Sequence, residues 1–229
     1  MPRIPHLGDE LWHLHMDFAT LIGKRMMPSG NWLGTADDGT AGAQPRLFLT
    51  FDDGPCPKTT PYLLEVLAEE QVQATFFIIG AHAERHGDLV QQVAAAGHTV
   101  GSHGYSHRPF PLMSTKDMES DLARANETLR SITGQAPRFF RPPYGVLDER
   151  GARCLSEQEM KTVYWGVVTE DWLPIGAKRV VARVERKLSN NALIVLHEKW
   201  FPKQTIAATK EVIKIGKQAG YQFAALGVT

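Results

Sequence analysis

The sequence has few cysteines and no excess of charge of either sign. Its 229 residues include only two cysteines, Cys56 and Cys154, which are too few for a disulfide framework or a zinc cluster built from thiolates. The 25 basic and 25 acidic side chains give a formal net charge of zero. Because no basic surplus is available to neutralise phosphates, we expect no nucleic acid among the partners of this protein.

Long apolar runs are also absent. No segment approaches the roughly 20 apolar residues that a membrane-spanning helix needs, so we expect no membrane span. The stretch from Met1 to Phe18 contains acids and three histidines where a signal peptide would have an apolar core. As written, the chain is therefore expected to be soluble and cytoplasmic, and it would be exported or periplasmic if a leader had been removed. The oligomeric state is left open.

The composition that is present suits one large domain. Hydrophobic residues make up 43% and charged residues 22%, close to the globular average. Residues 1–45 differ from the rest, because apolar residues at helical spacing predict a helix over Asp9–Lys24 and a stretch rich in glycine and aspartate follows it. We interpret residues 1–45 as an N-terminal extension and residues 46–229 as the main domain.

From Arg46 onward, short β-branched and aromatic runs alternate with longer helical stretches. The predicted strands are Leu47–Phe51, Ala74–Gly80, His98–Gly101, Arg138–Phe140, Thr162–Val168, Ala192–Leu196 and Tyr221–Leu226. The predicted helices are Thr60–Glu69, Glu84–Ala96, Lys116–Ile132, Asp148–Glu159, Ala177–Leu188 and Thr205–Gln218. This alternation favours a parallel α/β fold, and a closed barrel and an open sheet both fit it.

Polar side chains follow several of the predicted strands, at the point where each strand ends. Active sites of parallel α/β folds gather at these C-terminal ends. The segments are Asp52-Asp53-Gly54-Pro55, His103-Gly104-Tyr105-Ser106-His107, Arg141-Pro142-Pro143-Tyr144-Gly145, Glu170-Asp171-Trp172 and His197-Glu198. Each segment by itself is typical of a turn, a loop or a core residue, but their placement on one rim favours a functional site.

A metal site with two histidines and one aspartate is compatible with these residues. His103 and His107 are four residues apart and would share one face of a helical turn, and a carboxylate from the first strand would complete the set. A catalytic zinc needs three protein ligands and an open position for water. A second carboxylate could then accept the proton of that water.

The chain resembles the polysaccharide deacetylases of carbohydrate esterase family 4, the NodB homology domain. The segments that match the family pattern, in order, are Thr50–Pro55, Ala74–Gly80, Gly101–His107, Arg141–Gly145, Asp171-Trp172 and Leu193–His197. The resemblance covers about residues 46–228 and implies a distorted TIM-like (β/α) barrel with about seven parallel strands. It also implies a hydrolase that removes N-acetyl groups from N-acetylglucosamine-containing poly- or oligosaccharides, of the chitin-oligosaccharide or peptidoglycan type.

The resemblance implies a metal centre and a base. Asp53, His103 and His107 would bind a divalent metal, with Zn²⁺ expected first and Co²⁺, Ni²⁺ or Mn²⁺ as alternatives. Asp52 would be the general base for the water that attacks the amide. Arg141 would pair with Asp52 and position it.

The same resemblance implies an acid and a substrate pocket. His197 would protonate the leaving amine, and Asp171 would hold His197 in its charged form. The backbone N–H of Tyr144 would stabilise the oxyanion, and Tyr144 would also contact the substrate. Trp172 and Val195 would line the slot for the acetate methyl group.

Three positions depart from the family pattern. Gly104 stands where Ser or Thr usually follows the first metal histidine, which removes a hydroxyl that could brace the loop. Val195 replaces a usual Leu, and Glu198 replaces a common Asp. No departure removes a ligand, base or acid, so we expect an active enzyme. Its alternatives are a family member that hydrolyses another amide, such as an N-formyl sugar or a small cyclic amide, and a non-catalytic glycan-binding protein.

Two aromatic residues follow the strand that carries His197. Trp200 and Phe201 could stack on a sugar ring, because aromatic faces suit such platforms. Packing in the core or at an edge is an equally good interpretation of both.

Overall fold

The structure, a computed structural model, describes residues 44–227 of the chain. The strands are β1 (Arg46–Gly54), β2 (Thr75–Ile78), β3 (Thr99–Ser102), β4 (Phe139–Phe140), β5 (Lys161–Thr162), β6 (Val167–Val168), β7 (Ala192–His197) and β8 (Gln222–Phe223). The helices are α1 (Thr60–Glu69), α2 (Gly80–Arg85), α3 (Gly87–Ala95), α4 (Thr115–Thr133), α5 (Glu149–Glu157), α6 (Ala177–Glu185) and α7 (Pro202–Gln218). The helix predicted over Asp9–Lys24 lies outside the described residues.

The strands form one parallel sheet that curls on itself. Its order is β5-β4-β3-β2-β1-β7-β6, with β8 beside β1. The two ends of this order, β5 and β6, are joined only by residues 163–166. That link reaches at most about 18 Å, whereas seven strands laid flat would span about 29 Å. The sheet must therefore curl, and the expected distorted barrel of about seven parallel strands is confirmed.

Two predicted elements are each divided in the structure. The strand predicted over Thr162–Val168 is the pair β5 and β6, because the segment between them changes partner. Val163 donates its N–H to the Phe140 carbonyl oxygen at 2.8 Å, and Gly166 donates to the Leu193 carbonyl oxygen at 3.0 Å. This change of partner connects the two ends of the curled sheet through a short length of chain.

The helix predicted over Glu84–Ala96 is the pair α2 and α3. They meet at His86, whose φ of −139° and ψ of 46° lie outside the helical region. The residues that bound α4 are typical helix-end residues, since the Ser114 side chain accepts a hydrogen bond from the Asp117 N–H and Gly134 ends the helix at φ 77°. No helix among residues 44–227 has the length and apolar character that crossing a membrane requires.

The alternation of side chains along β1 separates the core from the site. Leu49 and Phe51 belong to the large hydrophobic core between the sheet and its helices. Phe48 belongs to the smaller core inside the barrel, and Thr50 and Asp52 follow it on the same face because successive strand residues point to opposite sides. The strand therefore fills the barrel interior near its start and carries a carboxylate to the barrel mouth at its end.

Candidate functional site

A buried arginine holds Asp52 at the end of β1. Asp52 is 4% exposed, and its Oδ1 accepts a hydrogen bond from Arg141 Nη1 at 2.7 Å. Arg141 also donates to Thr50 Oγ1 and to the Tyr164 carbonyl oxygen, each at 2.8 Å, and its guanidinium lies over the Phe77 ring. Burial lowers the pKa of Arg141, and the charge of Asp52 opposes that shift. One carboxylate oxygen of Asp52 is thereby fixed in position.

Asp53, His103 and His107 converge on one point. Their ligand atoms all lie within 4.8 Å of one another. Asp53 Oδ1 is 3.1 Å from His107 Nε2 and 3.7 Å from His103 Nε2. This oxygen is buried, yet no donor among the described residues meets it in hydrogen-bond geometry. A buried anionic oxygen needs compensation, and a divalent cation held between the three side chains would supply it.

Hydrogen bonding and burial prepare these side chains for a metal. The Arg141 carbonyl oxygen lies 2.6 Å from His103 Nδ1, so Nδ1 carries the proton and Nε2 is left as a ligand atom. Burial lowers the pKa of His103, which favours the neutral imidazole. Burial raises the pKa of Asp53, but the close contact with His107 and the charges of the neighbouring imidazoles lower it by more, so its net shift is downward. The set therefore offers a carboxylate and a neutral imidazole, as zinc requires.

The loop between the two histidines is held by Asp121 of α4. Asp121 is 8% exposed and accepts hydrogen bonds from the Tyr105 N–H at 2.7 Å and the Ser106 N–H at 2.9 Å. Gly104 has a φ of +74°, and a Cβ there would lie 3.0 Å from Asp121 Oδ1. The bracing that a hydroxyl at position 104 would have supplied therefore comes from Asp121. Asp121 is not recognisable as a site residue from the sequence, because nothing in the α4 pattern indicates what that helix packs against.

His197 forms a tight pair with Asp171. The two residues share a hydrogen bond of 2.8 Å between Nδ1 and Oδ1, and the His197 N–H donates to Asp171 Oδ2 at 2.7 Å. Asp171 is fully buried and also accepts from Thr205 Oγ1. Burial lowers the pKa of His197, but the charge and hydrogen bond of Asp171 outweigh it and raise the pKa to about 9. The pair with Asp171 thus favours the protonated imidazole, and the strand register places His197 directly opposite Asp52.

The three predicted substrate-contacting residues surround these groups. Tyr144 has a φ of 57°, is 67% exposed and places its ring 4.8 Å from that of His107. The Trp172 ring lies edge-on to His197 with centroids 5.0 Å apart. Val195 is buried on β7, two residues before His197 and on the same face. The structure thus brings all the predicted site residues to the barrel mouth, whereas their roles stay predictions.

Glu198 makes more contacts in the site than its place in the sequence indicates. Its N–H donates to the Asp52 carbonyl oxygen at 3.0 Å, and its carboxylate accepts from Thr60 Oγ1. Glu198 is fully buried, and burial raises its pKa to about 8. A Cβ at Gly54 would lie 1.8 Å from Glu198 Oε1, so any larger residue after Asp53 would displace the Glu198 carboxylate. The one sequence feature that could have indicated this contact is the Thr60 hydroxyl at the start of α1, which donates to the Glu198 carboxylate.

The comparisons with known proteins agree on one family. Residues 39–163 match a family model described as polysaccharide deacetylase. A peptidoglycan-N-acetylglucosamine deacetylase from Bacillus cereus is 35% identical over 149 residues, which are 65% of this chain and 54% of that protein. The chain therefore spans about half the length of that relative.

Two further relatives cover more of their own chains. A chitooligosaccharide deacetylase from Sinorhizobium fredii is 32% identical over 189 residues, which are 77% of this chain and 88% of that protein. The chain also matches the crystal structure of a peptidoglycan N-acetylglucosamine deacetylase with a TM-score of 0.77 and 31% identity. The match covers 79% of this chain and 86% of the chain in that crystal structure.

Proposed function

Because the chain belongs to the polysaccharide deacetylase family, we propose that it is a metal-dependent hydrolase that removes N-acetyl groups from N-acetylglucosamine units of peptidoglycan or chitin oligosaccharides. The observation that carries this proposal is the register of β1 and β7. It places Asp52 opposite His197, with the cluster of Asp53, His103 and His107 directly beside Asp52. A carboxylate base and a protonated imidazole thus lie beside one candidate metal position.

Asp53, His103 and His107 would hold the cation. Two imidazoles and one carboxylate are a ligand set typical of catalytic Zn²⁺, and Co²⁺, Ni²⁺ or Mn²⁺ are alternatives that imidazole and carboxylate ligands also accept. When bound, the cation lowers the pKa of a water molecule and polarises the amide carbonyl.

Asp52 takes the proton of the attacking water. Arg141 holds one carboxylate oxygen at 2.7 Å, which leaves the other to accept the proton. A base placed in this way contributes about 10²–10⁴-fold to the rate. The Tyr144 N–H would donate to the oxyanion, and one preorganised donor of this kind is worth about 10²–10³-fold.

His197 gives its proton to the leaving nitrogen. An amine is a poor leaving group until it is protonated, and the charge and hydrogen bond of Asp171 favour the protonated form of His197. Asp171 keeps the imidazole oriented through its hydrogen bond to Nδ1, so Nε2 is the atom that donates. Trp172 and Val195 would enclose the acetyl methyl group, and the products are acetate and a sugar with a free amine.

Acetate release is the test. The protein with metal bound should release acetate from N-acetylglucosamine oligomers or from peptidoglycan, and a chelator should abolish the release until metal is restored. The Asp52→Asn variant is the matched control, because it keeps the metal ligands. If the protein releases formate from an N-formyl sugar but no acetate from either glycan, it hydrolyses an amide other than the N-acetyl group. Glycan binding without any product would indicate a non-catalytic protein.

A further inference from the structure

A groove beside the candidate site takes no part in the proposed reaction. It has a volume of about 990 Å³ and lies between α1 and α7. The lining residues used below come from the segment after β1, from α1, from the segment after β7 and from α7. They are Pro57, Lys58, Tyr62, Trp200, Phe201 and Lys203.

The groove is lined by the two chain segments that follow the site residues at the ends of β1 and β7. Lys58 follows Asp53 by five residues, and Trp200 follows His197 by three. Gln204, which also lines the groove, donates its Nε2 hydrogens to the carbonyl oxygen of Asp171 at 2.7 Å. The groove wall is thus tied to the residue that holds His197, so a glycan bound with one sugar at the site could continue into the groove.

The lining combines exposed aromatic rings with positive charge. Tyr62 and Trp200 are each 52% exposed, although large aromatic side chains are usually well buried. Lys58, Lys203 and Lys210 line the same groove, and its lining contains no acidic residue. Lys210 contacts Glu69 at 3.4 Å, but within residues 44–227 no carboxylate pairs with Lys58 or Lys203.

This positive charge is local, because the whole chain has a formal net charge of zero. Aromatic faces suit the apolar faces of sugar rings, and uncompensated ammonium groups suit carboxylates. A neutral glycan would satisfy only the first of these features. Deacetylation also leaves an ammonium group on each processed sugar. A basic groove would therefore repel a deacetylated strand that has no carboxylates, whereas it would still attract a strand whose other sugars carry carboxylates.

We propose that this groove binds the glycan beyond the sugar that is deacetylated, and that it selects strands whose neighbouring sugars carry carboxylates, as in peptidoglycan. This rests on the proposed function, since it assigns the groove to the substrate of the same site. Trp200 and Tyr62 stack on sugar rings, and Lys58 and Lys203 pair with the carboxylates.

Two soluble tetrasaccharides of equal length test the proposal on the full chain with metal bound. One alternates N-acetylglucosamine with N-acetylmuramic acid, and the other is the neutral N-acetylglucosamine tetramer. In the double variant Lys58→Gln/Lys203→Gln, KM for the acidic tetrasaccharide should rise about 3- to 10-fold while KM for the neutral one stays within about twofold. Trp200→Ala should raise KM for both. The control is Lys161→Gln, an exposed lysine at the start of β5, the end of the strand away from the site.

Equal effects of the lysine variant on both tetrasaccharides, or no effect on either, would overturn the proposal. The Kd of each tetrasaccharide, measured by calorimetry on the Asp52→Asn variant, separates this outcome from failure of the proposed function, because binding needs no turnover. If Trp200→Ala instead changes the elution volume of the protein or the proteolytic release of residues 1–43 without glycan, a second copy or the N-terminal segment fills the groove and the proposal is wrong.

Discussion

Replacing Asp171 with asparagine tests the assignment of His197 as the acid. The substitution removes one negative charge at 2.8 Å from His197 Nδ1 and keeps the size of the side chain. Asparagine also keeps one oxygen that can accept the hydrogen bond of Nδ1. The expected effect is therefore on the charge state of the imidazole more than on its position.

The size of the effect follows from the burial of the pair. In the wild-type protein, burial lowers the pKa of His197 while Asp171 raises it, with a net value of about 9. A unit charge at about 4 Å is worth on the order of 4 kcal/mol at an effective dielectric constant near 20, or about 3 pKa units. Without that charge the pKa should fall to about 6.5 or below, so the protonated fraction at pH ~7.5 falls from nearly complete to about 0.1 or less.

The assay is the pH dependence of kcat/KM for acetate release, measured for Asp171→Asn beside the wild-type protein. The alkaline limb of the profile should move to lower pH by about two units or more, and activity should recover partly in mild acid. A bound cation would lower the pKa of His197 in both proteins, so the difference between the two profiles is the quantity to compare. An unmoved alkaline limb with a large rise in KM would refute the assignment and would indicate that Asp171 contacts the sugar.

The same pair makes a prediction for stability. Because the pKa of His197 is higher in the folded protein than its ordinary value, the pair stabilises the fold fully below pH ~6.5, and this contribution is lost as the pH rises through about 9. Its size is on the order of 3 kcal/mol. Denaturant unfolding across this range should show the decline in the wild-type protein, and an equal decline in Asp171→Asn would contradict the reasoning.

Three further substitutions separate the other roles. Asp52→Asn should reduce turnover about 10²–10⁴-fold while elemental analysis still finds one metal per chain, and an equal loss of metal would make Asp52 a ligand. His107→Ala should lose the stoichiometric metal, and full occupancy after dialysis would exclude the predicted ligand set. Asp121→Asn should weaken metal affinity about 10-fold in chelator competition, because it loosens the loop between the histidines. Lys116→Gln on the same helix is its control, and equal affinity in both variants would show that this bracing is unimportant.

The local sequence pattern was sufficient to predict those helices whose start and end are marked by residues within or next to the helix. Helix α1 has the predicted bounds, Thr60–Glu69, and α4 begins and ends within one residue of the predicted Lys116–Ile132. The segment Thr162–Val168 was predicted as one strand because its β-branched and aromatic residues favour an extended chain. Which neighbour such a chain pairs with depends on residues far away in sequence, so its division into β5 and β6 could not be predicted.

The sequence by itself determined which residues meet at the barrel mouth, since parallel strands of an α/β fold end on one side and motifs mark those ends. It could not determine how each side chain is held. The contacts that hold them join residues separated by up to 144 positions in the sequence. They are the hydrogen bonds of Arg141, those of Asp121 and the packing of Glu198 against Gly54. The basic aromatic groove arises in the same way, because Tyr62 and Trp200 become neighbours only when α1 and α7 pack side by side. Such contacts have no local pattern, so only the tertiary structure decides them.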